Sequence, residues 1–156
     1  MSTIGDYLTS LQTKLQTCTL ITNPDLVLMG ESKDIFGLQD DQFPRLEVLI
    51  DKDKQEGYAS QRTMNYDFRY SIAGFIRRVD DAVSFADMVT LTNFGVEVRN
   101  LNYSFLDDKQ AGNPPCNGFL MMGQFTECFY EFELFPRTSA FIIVMGAFLE
   151  LLDTED

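Results

Sequence analysis

Alternation of apolar and polar positions is strongest over Met64–Arg78. One parity carries Tyr66, Phe68, Tyr70, Ile72, Gly74 and Ile76, and the other carries Asp67, Arg69, Ser71, Ala73, Phe75 and Arg77. Side chains alternate across a strand, so the pattern predicts a half-buried antiparallel strand with one wet face. Phe43–Asp51 repeats the period, with Leu46, Val48 and Ile50 set against Arg45, Glu47 and Asp51, and predicts the partner strand. The polar segment between them exceeds the about 2–5 residues of a hairpin connection. It predicts a long loop at 52–63.

Spacing changes at the N-terminal side, where Ile4, Tyr7, Leu8, Leu11, Leu15 and Cys18 recur with helical period. They predict an amphipathic helix over Thr3–Gln16, capped by Ser2 or Thr3. Thr22–Gln42, punctuated by Asn23-Pro24, Gly30 and Gly37, predicts an irregular stretch, with Leu26–Met29 a brief strand or turn on the sheet edge. Asp80-Asp81 suit the start of a second helix, where carboxylates favour the positive dipole end. Its apolar stripe would be wide: Ala82, Phe85, Val89, Leu91, Phe94, Val96, Val98, Leu101 and Phe105. Asp107–Asn117 reads as a turn region, ended by Gly112-Asn113-Pro114-Pro115.

Gly118–Leu134 predicts a third long strand. One of its parities is apolar early, at Phe119, Met121 and Phe125, and acidic late, at Glu127, Glu131 and Glu133. Those glutamates would face either solvent or the cations of a neighbouring subunit. Ser139–Leu149 is apolar on both parities, as expected of a central strand covered on both faces. The tripeptide Phe-Pro-Arg occurs at 43–45 and at 135–137, a match short enough to arise by chance. The expected fold class is α+β: two helices packed on one face of a four-stranded, mainly antiparallel sheet, in the order helix-strand-strand-helix-strand-strand. Residues 1–152 would form a single domain and 153–156 an acidic frayed tail.

Charge and composition narrow the function. With 24 acidic and 12 basic residues the net charge is −12, which argues against adhesion to nucleic acid or anionic membrane through a basic surface. Three cysteines without CxxC spacing, Cys18, Cys116 and Cys128, predict free thiols in a reducing compartment. No basic-plus-apolar leader stands at the start, and the strongest apolar run, Ala140–Leu149, falls short of the about 18 residues that span a bilayer. The chain has no histidine. That removes the commonest general base and the commonest transition-metal ligand. The paired acids Asp40/Asp41, Asp80/Asp81 and Asp107/Asp108 read as caps and solvated loops and not as a paired-carboxylate hydrolase, and Asp34, Asp40 and Asp41 lack the ligand spacing of a calcium loop. No catalytic, cofactor-binding or metal-ligating residue is expected. The functional feature is the 52–63 segment, with Lys52, Asp53, Lys54, Gln55, Glu56, Tyr58 and Arg62. It reads as an arm that orders on a partner with Tyr58 as anchor, since aromatics dominate contact energy.

The N-terminal helix, the run Phe43-Pro44-Arg45-Leu46-Glu47-Val48, the alternating strand ending in Arg77-Arg78, the helix after Asp80-Asp81 and two final strands together resemble the tail terminator (tail-completion) proteins of long-tailed bacteriophages. The resemblance runs from Thr3 to Leu152. It implies a structural virion protein without catalysis, assembled in the host cytoplasm as a ring, typically a hexamer. Such a ring sits on the last ring of the tail tube at the neck, ends tail growth and offers the surface that joins the capsid connector or neck protein. DNA passes through its lumen without specific binding. By position, Lys52–Thr63 would dock on the tube or a neighbour. A small acidic α+β chain without histidine also resembles an acidic secretion chaperone, a dimer that binds an unfolded effector. A carrier of hydrophobic ligands between aromatic strand faces is a third reading.

Overall fold

The computed structural model describes residues 4–30, 34–60, 63–110 and 119–152. Two helices lie on one face of a five-stranded sheet. In chain order the elements are α1 (Ile4–Leu15), β1 (Val27–Met29), β2 (Arg45–Ser60), β3 (Thr63–Arg77), α2 (Phe85–Gln110), β4 (Phe119–Leu134) and β5 (Thr138–Leu152). The sheet order is β1-β2-β3-β5-β4. Four long strands pair antiparallel, and β1 adds a short parallel edge against Leu46–Val48. The sheet therefore has five strands and is mixed, where the sequence predicts four. The extra strand, Val27–Met29, lies in the segment that the sequence offers as a brief strand or turn on the sheet edge, and three residues are too few to show a strand period.

The core is the layer between helices and sheet. From α1 come Tyr7, Leu11 and Leu15. The even-numbered residues Phe68, Tyr70, Ile72 and Ile76 of β3 meet them, with Phe141, Ile143 and Met145 of β5 alongside. Tyr7 meets Phe68, Tyr70 and Phe105 edge-on, with centroids 5.2 to 5.9 Å apart, a geometry that suits the ring quadrupoles. Phe141 lies across Gly74, where a Cβ would come within 2.2 Å of its ring. Glycine is required there by close approach and not by φ. Polar groups inside the core are chained: the Tyr7 and Tyr70 hydroxyls meet at 2.8 Å, and Tyr70 donates to Asn102 Oδ1 at 2.8 Å.

Helix α2 starts later than Asp80-Asp81. It is opened by a reciprocal cap in which Ser84 N donates to Asp87 Oδ2 at 2.9 Å and Asp87 N donates to Ser84 Oγ at 3.1 Å. It runs on through Gln110, so Asp107–Gln110 is helix and not turn; 111–117 lie outside the described residues. The buried stripe is narrower than the sequence suggests. Leu91, Phe94, Val98 and Phe105 are buried, whereas Phe85, Val89 and Val96 face out.

The predicted loop at 52–63 is largely strand. Lys52–Ser60 continues β2 and pairs with Thr63–Arg69, with register shifts between Ile50 and Lys52, Gln55 and Gly57, and Tyr58 and Ser60. Each bulge inserts a residue and breaks the period-two pattern by which a strand is recognised. A bulge also explains the mixed parity of β4. Phe125 pairs with Met145 but Glu127 with Val144, so the residues after the bulge change face. Finally, β5 is central but covered on one side alone. Its Ile142 stands exposed on the face away from the helices.

Candidate functional site

Two surfaces follow from this layering. The first is the sheet face opposite the helices. Register places Glu47, Ala73, Ile142 and Phe129 in one row across it, and Leu49, Ser71, Val144 and Glu127 in the next. Leu49, Ile142 and Phe129 are 43 to 50% exposed. At one end of this face the connection from β1 to β2 passes over the strands, bringing Asp40 and Phe43 onto Arg77. Beside it the Arg45–Glu47 ion pair, at 3.0 Å, is buried. The rest of the face has no covering layer among the described residues.

The second surface is the end of the sheet where β3 stops, β5 starts and α2 begins. A cleft of about 380 Å³ opens there, lined by Asp40, Phe43, Arg77, Val79, Asp87 and Arg137 among others. Arg137, in the β4–β5 turn, reaches Asp40 at 3.0 Å and donates to the backbone carbonyls of Arg78 and Val79. Arg77 donates through Nη1 to Asp40 at 3.1 Å and lies over the Phe43 ring at 4.3 Å. The two guanidinium groups hold the Asp40 carboxyl below its ordinary range, chiefly through the hydrogen bond from Arg137. Arg78 is buried and donates to the backbone carbonyls of Phe132, Thr138 and Asp81 and to Ser139 Oγ. It fastens the β4–β5 turn to the exit of β3.

Arg77 is unusual. Its side chain is 7% exposed, yet Nε and Nη2 have no hydrogen-bond partner among the described residues. Three side chains rim this end: Val79, Phe85 and Phe135 are 77 to 86% exposed. Both copies of Phe-Pro-Arg fall at this end, each with a cis Phe-Pro bond, and Phe43, Pro44 and Arg137 line the cleft. The shared tripeptide was the one sequence signal for this site.

The residues singled out in the sequence lie elsewhere. Lys52, Asp53, Lys54, Gln55, Glu56 and Tyr58 are on the β2–β3 hairpin, and Arg62 lies outside the described residues. The hairpin is at the opposite end of the sheet, about 45 Å from Arg77 at the usual strand rise. The structure thus groups the hairpin residues on one pair of strands and separates them from the arginine cleft.

Among the described residues no cluster of three or more acidic or cysteine side chains could hold a metal ion, and no helix is long and apolar enough to cross a membrane. Burial pushes the Cys18 thiol up to about 11, which keeps it protonated and a poor nucleophile at neutral pH.

Comparison by sequence finds no matching protein family and no matching curated protein. A solved structure of the virion of a native gene transfer agent (GTA) particle contains a chain similar to this one. The TM-score is 0.49 and the identity 10%, over 94% of this chain and 96% of that chain.

Proposed function

We propose that this chain is a non-catalytic structural protein that caps a phage tail tube as a ring, ending tail growth and presenting the surface that joins the capsid connector. The observation that carries the reading is the sheet face opposite the helices. Strands β2, β5 and β4 expose Leu49, Ile142 and Phe129 on the side that no helix covers. A two-layer domain that leaves an apolar sheet face in water gains by burying it against another surface. The order of elements supports the same reading through the tail-terminator resemblance. The absence of histidine and the raised Cys18 thiol favour assembly over catalysis.

In this reading the copies form a closed ring, typically of six, and the β2–β3 hairpin with Lys52–Tyr58 is the arm that meets the tube or a neighbour. DNA passes through the lumen without specific contact. An acidic wall suits that task, because like charge lets a polyanion slide without sticking.

The test is polymerisation of a phage major tail-tube protein in the presence of this chain, followed by electron microscopy. Added chain should give tubes of arrested length with extra density at one end. Tubes that lengthen as before, or a stable dimer of this chain holding the N-terminus of a secreted effector, would contradict the reading.

A further inference from the structure

Two apolar surfaces of this chain have no cover among the described residues, and they belong to opposite layers of the domain. One is the sheet face away from the helices, with Leu49, Ile142 and Phe129. The other runs along α2, where Phe85, Met88, Val89, Val96 and Tyr103 are 40 to 77% exposed. At 3.6 residues per turn these five, with Thr92 and Arg99 among them, fall within about 100° of arc. A helix ordinarily turns an apolar stripe of that width to a core. The stripe that α2 turns to its own core is a separate one, Leu91, Phe94, Val98 and Phe105.

The exposed stripe is also free of acid, on a chain with 24 acidic residues. From Met88 to Ser104 the one carboxylate of α2 is Glu97, which faces away from the stripe and accepts from Thr19 N and Oγ1 at 2.6 and 2.7 Å. The other acids stand at the ends: Asp80 and Asp81 precede the helix, Asp87 caps its first turn, and Asp107 and Asp108 lie in its last. The charge within the stripe is that of Arg99, which donates through Nε to the Gly95 carbonyl at 3.3 Å. The sheet face is the converse. Glu127 and Glu131 flank the exposed Phe129 there, beside Val144 and Ala140 of β5. Neither makes an ion pair with another described residue. The cations of that face are engaged or distant: Glu47 holds Arg45, Asp40 holds Arg77, and the exposed Arg69 lies one row nearer the hairpin than Ser71.

We propose that the Phe85–Tyr103 stripe of α2 in one copy packs on the open sheet face of a second copy, over Ile142 and Phe129, with Arg99 toward Glu127 and Glu131. The neighbour's helix then supplies the third layer that this two-layer domain lacks. The two surfaces differ, so the contact is head-to-tail, and repetition closes a ring or extends a filament. The proposal rests on the ring reading above and names the interface that would build it. Pairing of α2 with its own copy about a two-fold axis matches the charges less well. The stripe offers Arg99 no carboxylate, and a parallel pair would set Arg99 against itself.

The experiment uses two full-length variants and native mass measurement, with a urea midpoint to check folding. The helix variant is Val89→Glu/Val96→Glu and the sheet variant is Phe129→Lys/Ile142→Lys, all at exposed positions. Alone, each should need a concentration higher by on the order of 30-fold or more to assemble. Mixed one to one they should assemble together, because each keeps the surface that the other has lost. If a double variant fails to fold, Val96→Glu or Ile142→Lys alone takes its place. A sheet variant that assembles like wild type while the helix variant does not would show α2 pairing with itself, and overturns the interface. So does the reverse result, wild-type-like assembly of both, or a folded pair that stays apart when mixed; all of these leave the ring intact. A wild type that never exceeds a monomer or dimer, with or without tube protein, removes the ring reading and this inference with it.

Discussion

Arg137 Nη2 donates to both carboxylate oxygens of Asp40, at 3.0 and 3.1 Å, across 97 positions of sequence. Arg77 completes the contact from a third segment, through Nη1 at 3.1 Å. One carboxylate thus ties the β1–β2 connection, the exit of β3 and the β4–β5 turn together. Those are the segments that shape the cleft.

A pH dependence follows. The Asp40 carboxyl is depressed below its ordinary value of 3.8 by its arginine partners. Its contribution is therefore fully present above 3.8 and is lost as the pH falls through the lower, folded-state value. The thermal midpoint of Asp40→Asn should sit below that of wild type by a constant margin at pH 5 to 8, as a rough range, and the gap should close only at the acid end. A gap that closes near neutrality would contradict the network.

The core hydroxyl chain gives a larger effect. Tyr70→Phe removes the partner of Tyr7 and of Asn102, whose Nδ2 already lacks one. It should cost about 1–3 kcal/mol in urea unfolding. Tyr70→Asp buries an unpaired charge and should cost about 3–5 kcal/mol.

Burial holds the Tyr70 phenol up at about 12. The neutral form is favoured in the fold, so its contribution is intact below the ordinary value of 10 and is lost as the pH rises through about 12. Absorbance titration should show one tyrosine ionising only as the protein unfolds at high pH.

At Gly74 the constraint is steric. An added methyl would meet the Phe141 ring at 2.2 Å. Gly74→Ala should destabilise by about 1–3 kcal/mol. An unchanged urea midpoint would show that Phe141 can move aside.

The hairpin prediction separates folding from docking. Tyr58→Ala with Lys54→Glu should leave the urea midpoint near that of wild type and reduce capping of tubes. Normal capping would remove the arm from the account.

Much of the fold was legible because β3 keeps strict alternation and pairs with β5 without a register shift over its whole length. The α1 stripe was legible from its helical period, with Tyr7, Leu11 and Leu15 buried and Cys18 buried just beyond its end. What stayed hidden was hidden by particular devices. Three bulges in β2 disguised a strand as a loop, and one in β4 swapped its faces. The true start of α2 was written in Ser84 and Asp87, a capping pair, whereas the adjacent acids Asp80-Asp81 also carry the composition of a helix start. The arginine cleft draws on residues from 40 to 137, and only the fold brings them together. Its sequence trace was the repeated Phe-Pro-Arg.

The most direct test of ring assembly is the mass of the wild-type chain in solution at raised concentration, with and without tail-tube protein. Ring assembly requires one closed species that is a fixed multiple of the 17.8 kDa chain, with more than two copies and typically six. A mass that stays at one or two copies under both conditions would contradict it.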